Sequence, residues 1–191
     1  MKQLLRPAFF LFTLIAVALC SSAQSTPEYV PTPQAVPHGS APGMKVKLLN
    51  ENGGQRDFAV VFQPGDEFYA GLTQFANDYH VQSAHLTAVG GLHDARLSWY
   101  DESRKAYRVI PVDQQSEVDS LVGDIALLNG KPSVHMHCVV SLEDGTTRGG
   151  HVLGGHVSPL LEVWVTVDST PLLKKHDEKT GLNLMDPDAK P

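Results

Sequence analysis

Disulfides are the first thing this sequence cannot rely on. It contains two cysteines, Cys20 and Cys138, in 191 residues. Cys20 closes an N-terminal segment that reads as removable, and a single remaining thiol excludes an intramolecular bridge. The fold must therefore be held by burial, by self-association or by a metal. Clustered positive charge is scarce as well. No run of Lys or Arg exceeds two (Arg104-Lys105, Lys174-Lys175), and 15 basic residues stand against 21 acidic ones. Binding to a nucleic-acid backbone rests on neutralising phosphates with grouped cations. An acidic chain without a basic stripe argues against a nucleic-acid partner. Apolar runs are missing beyond the first, Phe9 to Leu19, which only Thr13 interrupts. That run is too short to cross a bilayer, which takes about 20 residues.

What surrounds the run gives it a meaning. Lys2 and Arg6 precede it, and Cys20-Ser21-Ser22-Ala23 follows. A positive start, an apolar middle and a small-residue end make a secretory signal peptide, with cleavage expected after Ala23. Leucine at position 19 argues against a lipoprotein cut before Cys20, where a small residue is usual. Removing residues 1–23 takes away Lys2 and Arg6 and no acid, so the formal charge moves from −6 to −8. The expected location is periplasmic or secreted, with no membrane span in the mature chain. What remains is long enough for one domain with its own core.

Prolines 27, 31, 33, 37 and 42 make residues 24–43 a flexible or extended spacer. From Met44 the pattern is mostly that of strands. Met44 to Asn50 alternates, Asn52-Gly53-Gly54 turns, and Arg56 to Gln63 returns. Asp66 stands where a helix cap belongs. Phe68, Leu72, Phe75, Ala76 and Tyr79 then follow at spacings of three and four, an amphipathic helix. Further strands are expected over Ala84 to Val89, Ala95 to Tyr100, Ala106 to Val112, Ser116 to Leu128, Ser133 to Leu142, Thr146 to Leu153 and Leu161 to Val167. Gly90-Gly91 is expected to break the chain between two of them, and Gly123 to mark a bulge. Lys174 to Pro191 is polar and reads as surface, with the domain spanning residues 44–185 and residues 186–191 a tail. One helix among about eight strands gives an α+β fold, mostly antiparallel β-sheet with one main helix.

Four of the nine histidines fall between residues 135 and 156. His135 and His137 are two apart on an expected strand, so both side chains leave the same face, about 7 Å apart along it, with Met136 on the other. Thr146 to Leu153 is the expected antiparallel neighbour, which lets His151 approach from the adjacent strand. Three imidazoles with an open fourth position suit catalytic zinc, and neutral imidazole also suits other divalent transition metals. Two histidines in such a pair can equally be plain polar residues on an exposed face. Gly149-Gly150 before His151 permits close backbone approach. His156, after Gly154-Gly155, is a fourth ligand, a substrate contact or a bystander. His93 either lines the same cleft or is a loop residue. Glu162 opens an apolar strand, either as a solvent-facing rim residue or as a buried acid beside the cluster; in the second case it is the candidate general base. Cys138 points away from His137 and reads as a buried apolar residue.

Taken together, Gly130-Lys131-Pro132-Ser133-Val134-His135-Met136-His137 and Gly149-Gly150-His151-Val152 resemble the PPC (plants and prokaryotes conserved) domain. Phe62-Gln63-Pro64-Gly65-Asp66-Glu67 resembles the turn before that family's helix. Val89-Gly90-Gly91 with Ala95 to Asp101 resembles its glycine turn and following Tyr-Asp strand, and Asp177 to Leu182 resembles the tail of bacterial members. The likeness runs from about Arg56 to Met185. It implies a fold related to acetolactate decarboxylase, a homotrimer, and a metal site, zinc in prokaryotic members, with His135, His137 and His151 as ligands. Family members are often described as DNA-binding, but this chain has no Arg-Gly-Arg segment and carries an export signal. Position 156 also departs from the family, holding a histidine where a small hydroxyl residue is expected. Three functions follow as expectations: a metal-dependent protein that binds or transforms a small molecule, a DNA-binding regulator, and a trimeric interaction module without a ligand. Whether the chain is an enzyme is left open.

Overall fold

The computed structural model describes residues 26–35 and 38–190; the export segment read over residues 1–23 lies outside them. Ten strands and one helix make up the described chain. In order they are β1 (Tyr29–Pro31), β2 (Lys45–Asn52), β3 (Gln55–Phe62), α1 (Phe68–Asp78), β4 (Ser83–Asp101) and β5 (Ala106–Val112). Then come β6 (Ser116–Leu128), β7 (Lys131–Ser141), β8 (Thr147–Val167), β9 (Leu173–Asp177) and β10 (Leu182–Asp186). The expected α+β class, mostly antiparallel with one main helix, is what the chain adopts. Among the described residues no helix is long and apolar enough to cross a membrane.

The sheet runs β1-β5-β4-β6-β7-β8-β3-β2, and β4 also pairs with β8. The pairings β4–β6, β6–β7, β7–β8 and β8–β4 therefore return to their starting strand, and the sheet curls into a closed ring. Alternation supplies the filling. Leu86, Leu121, Met136, Val140, Leu161 and Val163 are buried, while their strand neighbours are more exposed; Leu92, Leu97, Ile125 and Val152 add to the filling. The helix packs against β7 and β8 and buries Phe68, Leu72 and Phe75. Phe58 meets Phe75 and Tyr79 edge to face, and Phe75 and Tyr79 lie tilted by 31°, all with centroids 5.0–5.3 Å apart.

Several local expectations need correction. The helix is capped by Glu67, not Asp66: the Glu67 carboxylate accepts from the Tyr69 and Ala70 amides and from the Gly155 amide across the fold. Asp66 instead closes the preceding turn, accepting from Gln63 and Gly43 N–H groups. Gly90-Gly91 does not break the chain. β4 passes through with register shifts between Ala88 and Gly90 against β6 and between Gly90 and Leu92 against β8; β8 lies so close that a side chain at either glycine would strike the Leu160 or Ser158 carbonyl. Gly123 is not a bulge either. It pairs regularly with Met136, and a Cβ there would strike the His135 carbonyl; the register shift of β6 lies between Val118 and Ser120. The two strands expected on either side of residues 154–160 are one long β8.

Segments expected to lie free are docked. In the described part of the proline-rich stretch, β1 pairs with β5, and Ala41 joins the core. The polar C-terminal stretch contains the hairpin β9–β10, and β9 runs parallel to β6.

Candidate functional site

Register decides which histidines meet. β7 and β8 pair with His137 directly opposite His151, and β6 pairs with β7 so that Asp124 stands opposite His135. Close approach of β4 to β8 seats His151: Ser98 Oγ donates to its carbonyl at 3.1 Å, and at Gly150 any side chain would run into the Ser98 backbone. That contact is the physical reason for glycine before His151. Ring centroids of His135, His137 and His151 lie 5.2–5.5 Å apart in all three pairs. One ligand nitrogen from each lies within 4.8 Å of the other two. Among the described residues this is the one group of three or more metal-ligating side chains that converges so closely.

Neighbours fix the rings. His135 Nδ1 is 2.9 Å from Asp124 Oδ2, and Lys174 Nζ ion-pairs with Asp124 Oδ1 at 2.7 Å while donating to the Ser133 carbonyl. Tyr107 stacks flat on His151, centroids 4.5 Å apart and planes 9° from parallel. His151 Nε2 lies 2.6 Å from Gln34 Oε1. Beside the cluster opens a cavity of about 470 Å³, lined among others by Tyr69, Trp99, Tyr107, His135, His137 and His151.

The electrostatics favour neutral imidazoles at His137 and His151. Burial, helped by the neighbouring His135 and His137, pushes the His151 imidazole down to about 3. Burial and His135 also lower His137, against the pull of Asp124. Burial would raise the Asp124 carboxyl, but hydrogen bonds from His135 and Lys174 and the Lys174 charge outweigh it, so the group sits below its ordinary value. Neutral rings with an acidic second partner are the state in which histidine ligates metal. The donor set fits. Three nitrogens closing by about an ångström would each reach the roughly 2.0–2.1 Å of a zinc–nitrogen bond.

The other candidates do not join this group. Glu162 is exposed on the distant half of β8, in register with Val61 and Val89, and does not line the cavity. The buried-acid expectation is therefore replaced by the solvent-facing one. His93 is exposed and likewise outside the cavity. His156 faces a separate cavity of about 250 Å³ and hydrogen-bonds Asp94 at 3.1 Å. Cys138 is buried on the opposite face, its thiol pushed up to about 12, as expected of a core residue. Asp124, Lys174, Gln34 and Tyr107 were not expected at the site. Two of them lie in stretches read as spacer and surface, and cross-strand register, which only folding reveals, brings in the others.

The model of the Plants and Prokaryotes Conserved (PCC) domain matches residues 49–168. The chain belongs to that family. This PCC protein shares its fold with several solved structures. One is a candidate DNA-binding protein from Ralstonia eutropha, 31% identical, with 68% of this chain and 90% of that one covered at a TM-score of 0.64. Another, from Bacteroides thetaiotaomicron, is also a candidate DNA-binding protein; it is 22% identical, with 75% and 96% covered and a TM-score of 0.68. A metal-containing protein from Archaeoglobus fulgidus is 24% identical, with 74% and 96% covered and a TM-score of 0.63. No curated protein matches the chain.

Proposed function

We propose that this PCC protein is exported and that His135, His137 and His151 hold one divalent transition metal, zinc in the first instance, at the mouth of a cavity that admits a small molecule. The observation that carries the reading is the convergence of three ligand nitrogens within 4.8 Å, with His135 anchored on the Asp124–Lys174 pair. The archaeal relative described as metal-containing supports it. A metal there would act as a Lewis acid on an oxygen of the bound molecule. Around it, Tyr107 holds the His151 plane, Asp124 holds His135, and the aromatic walls of Tyr69 and Trp99 favour a ligand with an apolar part. Calorimetric titration with zinc is expected to give one site per chain, abolished in His135→Ala. Heat indistinguishable from dilution in the unsubstituted protein would end this reading.

Export rests on residues 1–23 and self-association on the outer face. Val122, Thr87 and Trp164 stand in one row across β6, β4 and β8; Val122 and Trp164 are about half exposed, and His137 continues the row. A homotrimer covering that row would bring a second copy beside the site. Protein recovered from the exporting cell should begin at Gln24 and scatter light as a trimer, with Trp164→Glu monomeric. An intact Met1 contradicts export, and a monomeric unsubstituted protein contradicts assembly.

The relatives described as candidate DNA-binding proteins favour a second reading. The formal charge of −6 opposes it. Salt-sensitive retention of duplex DNA at physiological ionic strength would support it over the metal reading's small-molecule role.

A further inference from the structure

The histidine site of this chain is completed by a segment that lies before the matched family region. Residues 29–35 run across β5 and the cavity mouth. β1 pairs Tyr29 with Arg108, Val30 with Tyr107 and Pro31 with Ala106. Glu28 ion-pairs with Arg96, Thr32 Oγ1 donates to the Lys105 carbonyl at 2.9 Å, and Arg104 lies over the Tyr29 ring. These ties deliver Gln34 to the cluster, where it lines the cavity with the histidines.

Both ends of the Gln34 amide are engaged. Its Nε2 donates to the Val152 carbonyl at 3.3 Å, and that carbonyl can only accept. The amide therefore presents oxygen, not nitrogen, to His151 Nε2 at 2.6 Å. An amide oxygen has no proton to give, so His151 Nε2 must carry the hydrogen. A neutral imidazole has one N–H, which leaves the lone pair on Nδ1. Tyr107, stacked on the ring, keeps its plane from turning.

We infer that Gln34 is a positioning residue of the histidine site: it locks His151 as the Nε2–H tautomer and leaves Nδ1 as the nitrogen that ligates. The inference rests on the metal reading for its purpose, but the tautomer is a property of the metal-free chain. Outer-sphere partners of this kind change metal affinity by roughly 10- to 100-fold when removed. Gln34 is only half-buried, so Gln34→Ala should fold.

The test combines long-range proton–nitrogen correlation spectra with zinc titration, on the unsubstituted chain, Gln34→Ala and Gln34→Glu. Expected are the Nε2–H tautomer of His151 in metal-free protein, a mixture of tautomers in Gln34→Ala, and restoration in Gln34→Glu, which keeps an acceptor. Zinc should shift the Nδ1 resonance, and its affinity should fall about 10- to 100-fold in Gln34→Ala. An Nδ1–H tautomer in the unsubstituted chain, an unchanged tautomer in Gln34→Ala, or tighter zinc binding by Gln34→Ala would overturn it. If the unsubstituted chain takes up no zinc, the metal reading fails, while the metal-free spectra still decide whether Gln34 sets the tautomer.

Discussion

His135 spends one ring nitrogen on Asp124, whose other oxygen meets Lys174, a side chain 5% exposed. Taking away the carboxylate charge leaves a buried ammonium without its counterion and a ligand ring without its anchor. Asp124→Asn is expected to destabilise the fold by about 1–3 kcal/mol, read as a lower urea midpoint. It should also weaken zinc by roughly 10- to 100-fold. A neutral change in both would show that Asp124 is incidental. His151 makes a pH prediction. Unfolded, it protonates near 6.5; folded, near 3. Between those values the unfolded chain binds a proton that the folded chain refuses. The metal-free protein should therefore be most stable above about pH 6.5 and lose stability as pH falls toward 3. Urea midpoints measured across that window should fall less steeply in His151→Gln, and equal slopes would contradict the burial of a neutral ring.

Among the elements, the site depends on β4 lying tightly against β8. Gly150→Ala drives a methyl into the Ser98 backbone, a contact that no rotamer can relieve. A loss of about 1–3 kcal/mol, by analogy with overpacked cores, together with loss of zinc binding is expected from melting and titration. Full retention of both would show that the strands can part without cost. The same closeness explains what the sequence conceals. His135 and His137 on one strand face, with His151 on the neighbour, were legible because period-two alternation and one antiparallel hairpin suffice to place them. The amphipathic helix was legible from its stripe. The continuity of β4 through Gly90-Gly91 was not, since glycine pairs that admit a close neighbour look the same in sequence as glycine pairs that end a strand. Asp124 was hidden because its value comes from lying opposite His135 in a register set by folding. Glu67 outcompeted Asp66 as cap by one position, and only backbone direction decides such a contest.

At the scale of the molecule, composition spoke clearly about class and poorly about borders. Proline-rich and polar stretches read as accessories, yet they deliver Gln34 and Lys174 to the site. Such docking has no periodic signature, because single side chains rather than a repeating face carry it. The closed ring β4-β6-β7-β8 holds three imidazoles at one point with a cavity beside them. A free hydrogen-bonded cluster would leave stability indifferent to chelation, whereas a bound metal couples folding to its supply. The decisive measurement is the metal content of protein purified without added metal, by elemental analysis with anomalous diffraction to locate the ion. The account predicts about one divalent transition metal per chain, placed between His135, His137 and His151 and missing in His135→Ala. Metal-free protein, or an ion bound elsewhere with the three imidazoles unengaged, would contradict it.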